Sequence, residues 1–88
     1  MPYPIKLLKR AERDLSQLPK KDLDRISEKI TALADQPRPP QAKQLKGDLK
    51  SHFRIRVGNY RVVYQVDGKA SMIAVVRIGH RREVYRRR

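Results

Sequence analysis

The chain has 88 residues, with 22 Lys and Arg against 9 Asp and Glu, a formal charge of +13 and 39% apolar residues, which suits one small domain with a thin core. It has no Cys, so a disulfide framework, a thiolate zinc site and a Cys nucleophile are excluded, and its two His, His52 and His80, stand far apart in the sequence. No apolar run approaches the ~20 residues that span a bilayer, and the start Met1-Pro2-Tyr3-Pro4-Ile5-Lys6 lacks the apolar stretch of a secretory signal, so the expectation is a soluble, cytoplasmic, basic domain whose partners are anionic and not a membrane.

Tyr3 to Leu8 alternates briefly and reads as a first strand. Lys9 to Leu18 places Ala11, Leu15 and Leu18 on one face of a first helix. Pro19 breaks it and opens a second helix over residues 20–35. There Leu23, Ile26, Ile30, Leu33 and Ala34 form one apolar stripe. Three Pro between Pro37 and Pro40 stop that helix, leaving a helical hairpin. After Gly47 the period becomes two. His52 to Val57 is a strand, Gly58-Asn59 a two-residue turn, and Tyr60 to Val66 a second strand. Asp67-Gly68-Lys69 turns into a long apolar strand, Ala70 to Ile78, and a basic tail follows, residues 80–88 in the domain reading. The expected architecture is α+β: an N-terminal strand, a two-helix hairpin, then an antiparallel three-stranded meander, in one small sheet with the helices on one face.

The charge is uneven. Residues 1–44 hold ten basic and six acidic side chains, and residues 45–88 hold twelve and three. The Gly58-Asn59 turn fixes where the second group goes. It pairs Val57 with Tyr60, so Phe53, Ile55, Val57, Tyr60, Val62 and Tyr64 share the helix-packed face. His52, Arg54, Arg56, Arg61 and Val63 share the other. Arg56 then sits directly across from Arg61, a destabilising like-charge pair. The next turn is ambiguous. A three-residue loop, pairing Val66 with Ala70, keeps Arg77 out of the helices, where its charge would be costly. It puts Met72, Ala74, Val76 and Ile78 on the core face, and Ile73, Val75 and Arg77 beside Arg56 and Arg61. The result would be an open face with an apolar floor and an Arg rim, suited to a strand of nucleic acid.

The stretch Phe53–Val66, with its Tyr60-Arg61-Val62 strand, resembles the central block of the RelE/ParE toxin superfamily. Leu45-Lys46-Gly47 matches the segment before that block, and Ile78-Gly79-His80-Arg81-Arg82-Glu83-Val84-Tyr85 resembles the C-terminal motif of its RelE branch. Leu15-Ser16-Gln17-Leu18-Pro19 fits the family's first helix and Pro break. The resemblance implies a single RelE-like toxin domain over 1–88. It also implies an mRNA interferase that cuts mRNA in the ribosomal A site, with no metal and no cofactor, by attack of the 2′-OH on its own phosphodiester. It implies a cognate RelB-like antitoxin, expected to be acidic and amphipathic, and operator DNA as a partner only through the toxin–antitoxin complex.

Carried over residue by residue, Arg61 matches the Arg that stabilises the scissile phosphate. Arg81 matches the Arg that protonates or neutralises the leaving oxygen, and Tyr85 the aromatic that stacks on a base. Arg54 and Arg56 fall where RelE members have a Lys pair, one Lys of which is a proposed general base. Arg remains protonated and is a poor base, so Arg56 is assigned to phosphate charge. His80 and Glu83 are candidates for the base. Arg54, Arg77, Arg82, Lys46 and Lys50 complete the expected RNA contacts. Two further readings stand beside this one: a ParE-like poison of DNA gyrase, and a basic RNA-binding relative without catalysis.

Overall fold

A computed structural model describes residues 2–45 and 52–80. Its elements in chain order are β1 (Ile5–Leu7), α1 (Lys9–Ser16), α2 (Lys20–Leu33), β2 (Lys43–Gln44), β3 (His52–Val57), β4 (Tyr60–Asp67) and β5 (Met72–His80). The strands form one sheet in the order β1-β5-β4-β3-β2. The meander β3-β4-β5 is antiparallel, and β1 runs parallel to the outer side of β5. A parallel pair needs a long crossover. Here everything from α1 to β4 lies between β1 and β5 in sequence. The α+β architecture is the one expected from the sequence, with β2 added at the far edge.

Each helix buries the face its apolar spacing marks out. Ala11 is fully buried in α1. Ile26, Ile30 and Leu33 are buried in α2, with Leu23 and Ala34 half-buried at the ends of the same stripe. These side chains meet Ile55, Val57, Val62, Tyr64, Val66, Ile73, Val75 and Ile78 of the sheet in one core. Phe53 and Tyr60 pack partly buried against it. Pro19 separates the helices as anticipated, but as the N-cap of α2, its carbonyl accepting from Leu23 N–H at 2.9 Å.

The first hairpin has the expected register, with Val57 across from Tyr60 and Arg56 across from Arg61. Gly58 has φ +61°, which an L side chain disfavours. Asn59 does not share a positive φ, so the turn has the type II′ pattern.

The second hairpin corrects the sequence reading. Val66 pairs with Ile73, not Ala70, and Asp67 pairs with Met72. The loop is therefore Gly68–Ser71. Asp67 Oδ1 builds it by accepting the N–H groups of Lys69 and Ala70, each at 3.1 Å, and Ser71 closes it at φ 51°. A β-bulge follows: Tyr64 faces Val75 and Val63 faces Arg77, so Val76 is an extra residue in β5. Before the bulge, Ile73 and Val75 point into the core, both fully buried, instead of flooring the Arg face. After it, Ile78 is in the core, and Arg77 lies in the row of Arg54 and Val63. β5 also runs through Gly79 and His80, so the strand extends past Ile78 into what the sequence reading assigned to the tail.

Candidate nucleic-acid interface

The sheet face away from the helices is organised in rows across β3, β4 and β5. One row is Arg56–Arg61–Gly79, the next is Arg54–Val63–Arg77, and the third is His52–Gln65–Ala74. The chain alternates sides at each step, so the first hairpin's register alone sends Arg54, Arg56 and Arg61 to this face. Arg56 is exposed, while Arg54 and Arg61 are half-buried. Val63 is buried and lies in the row between Arg54 and Arg77 on this side. Val63 and Ala74 are the apolar residues of these rows. Gly79 leaves the position beside Arg61 without a side chain.

Among the described residues, the acidic partners lie elsewhere. The ion pairs are Arg10–Asp14, Lys20–Asp24 and Arg77–Asp14, and none neutralises Arg54 or Arg56. Two guanidinium groups in directly opposed positions raise each other's energy. An anion placed between them removes that cost, so the arrangement suits a phosphate.

The sequence-derived residues do not all converge. Arg54, Arg56 and Arg61 do. Arg77 shares their face, but its Nε is 3.0 Å from Asp14 Oδ2. His80 is exposed and pairs with Tyr60, on the other side of the sheet from Arg61. Its ring makes an edge contact with Tyr60 at 6.0 Å between centroids. A base acting between Arg56 and Arg61 is not supplied by that imidazole in this position. Arg81, Arg82, Glu83, Tyr85, Lys46 and Lys50 lie outside the described residues.

Three further groups shape the region. His52 is on the Arg face, its Nδ1 buried with no hydrogen-bond partner. Burial holds its pKa below the usual imidazole value, favouring the neutral ring. On the opposite face, Tyr64 donates its hydroxyl to the Pro37 carbonyl at 2.8 Å. Its ring stacks on Phe53 at 5.9 Å, and Arg38 lies over Phe53 at 5.6 Å. These contacts tie the Pro-rich segment to the sheet. Asp14, absent from the sequence-derived set, holds the end of β5. Its i,i+4 spacing from Arg10 marks an ordinary helix-surface pair, and its two β5 partners, 63 and 64 residues away, leave no local pattern.

The fold is one that known proteins share. The family model for the ParE toxin of type II toxin–antitoxin systems matches residues 5–85. The chain belongs to the RelE/ParE toxin superfamily. Toxin RelG of Mycobacterium tuberculosis is 35% identical over 89 aligned positions, covering 99% of this chain and all of the relative. Among solved structures, the toxin–antitoxin complex RelBE2 of Mycobacterium tuberculosis superposes with a TM-score of 0.81 at 30% identity, covering 91% of this chain and 99% of that one. The archaeal RelE–RelB complex of Pyrococcus horikoshii gives 0.76 at 31% identity, covering 92% and 97%. The chain is thus a RelE-family toxin of a type II toxin–antitoxin system.

Proposed function

We propose that this toxin is a ribosome-dependent mRNA endonuclease of the cytoplasm that cuts a phosphodiester laid across the Arg56–Arg61 row. The observation that carries the reading is that row itself: Arg56 and Arg61 directly opposed on the sheet face away from the helices, a like-charge register whose cost a bound phosphate offsets. In the reaction, the ribose 2′ oxygen attacks the adjacent phosphorus, the P–O5′ bond breaks, and a 2′,3′-cyclic phosphate and a 5′-OH result. The 2′ proton leaves to water and the departing O5′ gains one, so the step balances without a metal or cofactor.

Arg61 and Arg56 stabilise the negative charge that builds on the phosphoryl oxygens. A fixed donor aimed at developing charge is worth ~10²–10³ in rate. Arg54 holds the neighbouring phosphate. Arg81 serves the leaving oxygen and Tyr85 stacks on a base, as the family resemblance implies. Because Arg replaces Lys at both strand positions and His80 faces away, charge stabilisation carries more of the catalysis than general-base chemistry. A RelB-like acidic antitoxin blocks the toxin by neutralising this face, and the complex carries any contact with operator DNA.

The test is cleavage of mRNA in a purified translation reaction, with 5′ ends mapped by primer extension with and without ribosomes. The expected outcome is ribosome-dependent cuts that fall ~100-fold or more in Arg61→Ala, with a parallel loss in Arg81→Ala. The ParE description of the matching family model favours a second reading, a DNA gyrase poison. Intact mRNA together with inhibited gyrase supercoiling would select it.

A further inference from the structure

The outer edge of β5 changes partner half-way along. β1 pairs with Ile73, Ala74 and Val75 only. Leu8 then donates its N–H to the Val75 carbonyl at 3.0 Å as the chain turns into α1. Past that point the described structure places no strand beside β5. The bulge at Val76 also resets the register there, so the terminal segment Arg77–His80 is not held in place by the alignment of Ile73–Val75. On its inner edge this segment stays paired with β4, so its outer edge is where a further tie acts.

One side chain takes over the edge. Asp14 Oδ2 accepts the Ile78 backbone N–H at 2.9 Å and Arg77 Nε at 3.0 Å. Its Oδ1 accepts from Arg10 Nε at 3.5 Å. The Asp14 side chain is only 9% exposed. A carboxylate from α1 thus substitutes for the missing strand at the amide where the ladder ends, and binds the residue before that amide through its charge. The segment so held lays Gly79 across from Arg61 and leads directly into Arg81.

We infer that Asp14 is a positioning residue for the reaction proposed above: it clamps β5 at Arg77 and Ile78 so that the strand beside Arg61 keeps its place. The inference rests on that functional reading. A catalytic group displaced by ~1 Å loses up to ~10²-fold in rate without leaving the site, so the clamp is expected to act on turnover. It also draws the Arg77 guanidinium toward α1, which leaves substrate binding to the other arginines.

Asp14→Ala removes both bonds, whereas Asp14→Asn keeps an oxygen for the Ile78 N–H and loses the charge. In the translation assay, Asp14→Ala is expected to lower kcat ~10–100-fold with KM within about twofold. Asp14→Asn is expected to recover a substantial part of the loss. Hydrogen exchange supplies the second readout. In Asp14→Asn and, where it folds, Asp14→Ala, the Ile78 and Gly79 amides should exchange faster while those of Val62 and Ile73 keep their protection. An unchanged kcat in folded Asp14→Ala, a loss carried by KM, no recovery in Asp14→Asn, or uniform acceleration of all amides would overturn the role. Failure of the functional reading looks different: wild-type protein leaves mRNA intact, while the exchange pattern still reports the clamp.

Discussion

At the scale of single residues, the helix-packed side of the sheet contains a polar group with a defined cost. The Tyr64 ring is fully buried, and its hydroxyl satisfies the Pro37 carbonyl, which belongs to a segment with no regular backbone partners. Tyr64→Phe keeps the stacking on Phe53 and removes that bond. The expected loss is ~1 kcal/mol at pH 7, measured by urea unfolding. The alkaline limb adds a signature. Burial pushes the Tyr64 pKa up to about 12 from 10, with Arg38 opposing the shift. The unfolded chain therefore gives up this proton first, and the stability present below pH 10 is lost as pH rises from 10 through about 12. Tyr64→Phe should flatten that part of the stability profile. The tyrosine's inward position was legible from alternation alone. Its partner was not, because Pro37 is 27 residues away in a Pro-rich stretch without periodicity.

At the scale of elements, legibility depended on the turns. Gly58 permits one tight geometry, and a two-residue connection leaves the strands a single alignment, so the pairing of Arg56 with Arg61 followed from the sequence. The second hairpin offered no such constraint. Its Asp67-Gly68-Lys69 run suggested a three-residue loop, yet the carboxylate of Asp67 organises a longer one, and the bulge at Val76 then changes the face to which each residue points. Alternation carries no record of a bulge, so Ile73 and Val75 were expected on the wrong side. β2 escaped for another reason: two residues give no period to read. The importance of the first turn can be measured. At Gly58 an added Cβ would meet the Arg25 guanidinium no closer than 3.5 Å, an ordinary contact. The cost of Gly58→Ala is then the backbone's, ~1–2 kcal/mol for a left-handed φ. Thermal unfolding should show it, with the Arg25→Ala, Gly58→Ala double mutant no better than the single.

At the scale of the whole molecule, the charge of +13 has two consequences that salt separates. Self-repulsion weakens the fold and attraction strengthens RNA binding, so added salt should raise the melting temperature and lower RNA affinity. The second effect can be resolved residue by residue. Each cation that neutralises a phosphate of single-stranded RNA adds ~0.7 to the slope of log affinity against log salt. Arg54, Arg56 and Arg61 share the sheet face away from the helices, whereas the Nε of Arg77 is bound to Asp14. Binding of a single-stranded RNA should therefore lose ~0.7 of slope in each of Arg54→Ala, Arg56→Ala and Arg61→Ala. Arg77→Ala should keep the wild-type slope, although the sequence alone counts Arg77 with the others. Fluorescence anisotropy over a salt series measures all four. A slope that falls equally in Arg77→Ala would show that RNA draws this guanidinium away from Asp14, and wild-type slopes in all four variants would move the RNA to another face of the molecule.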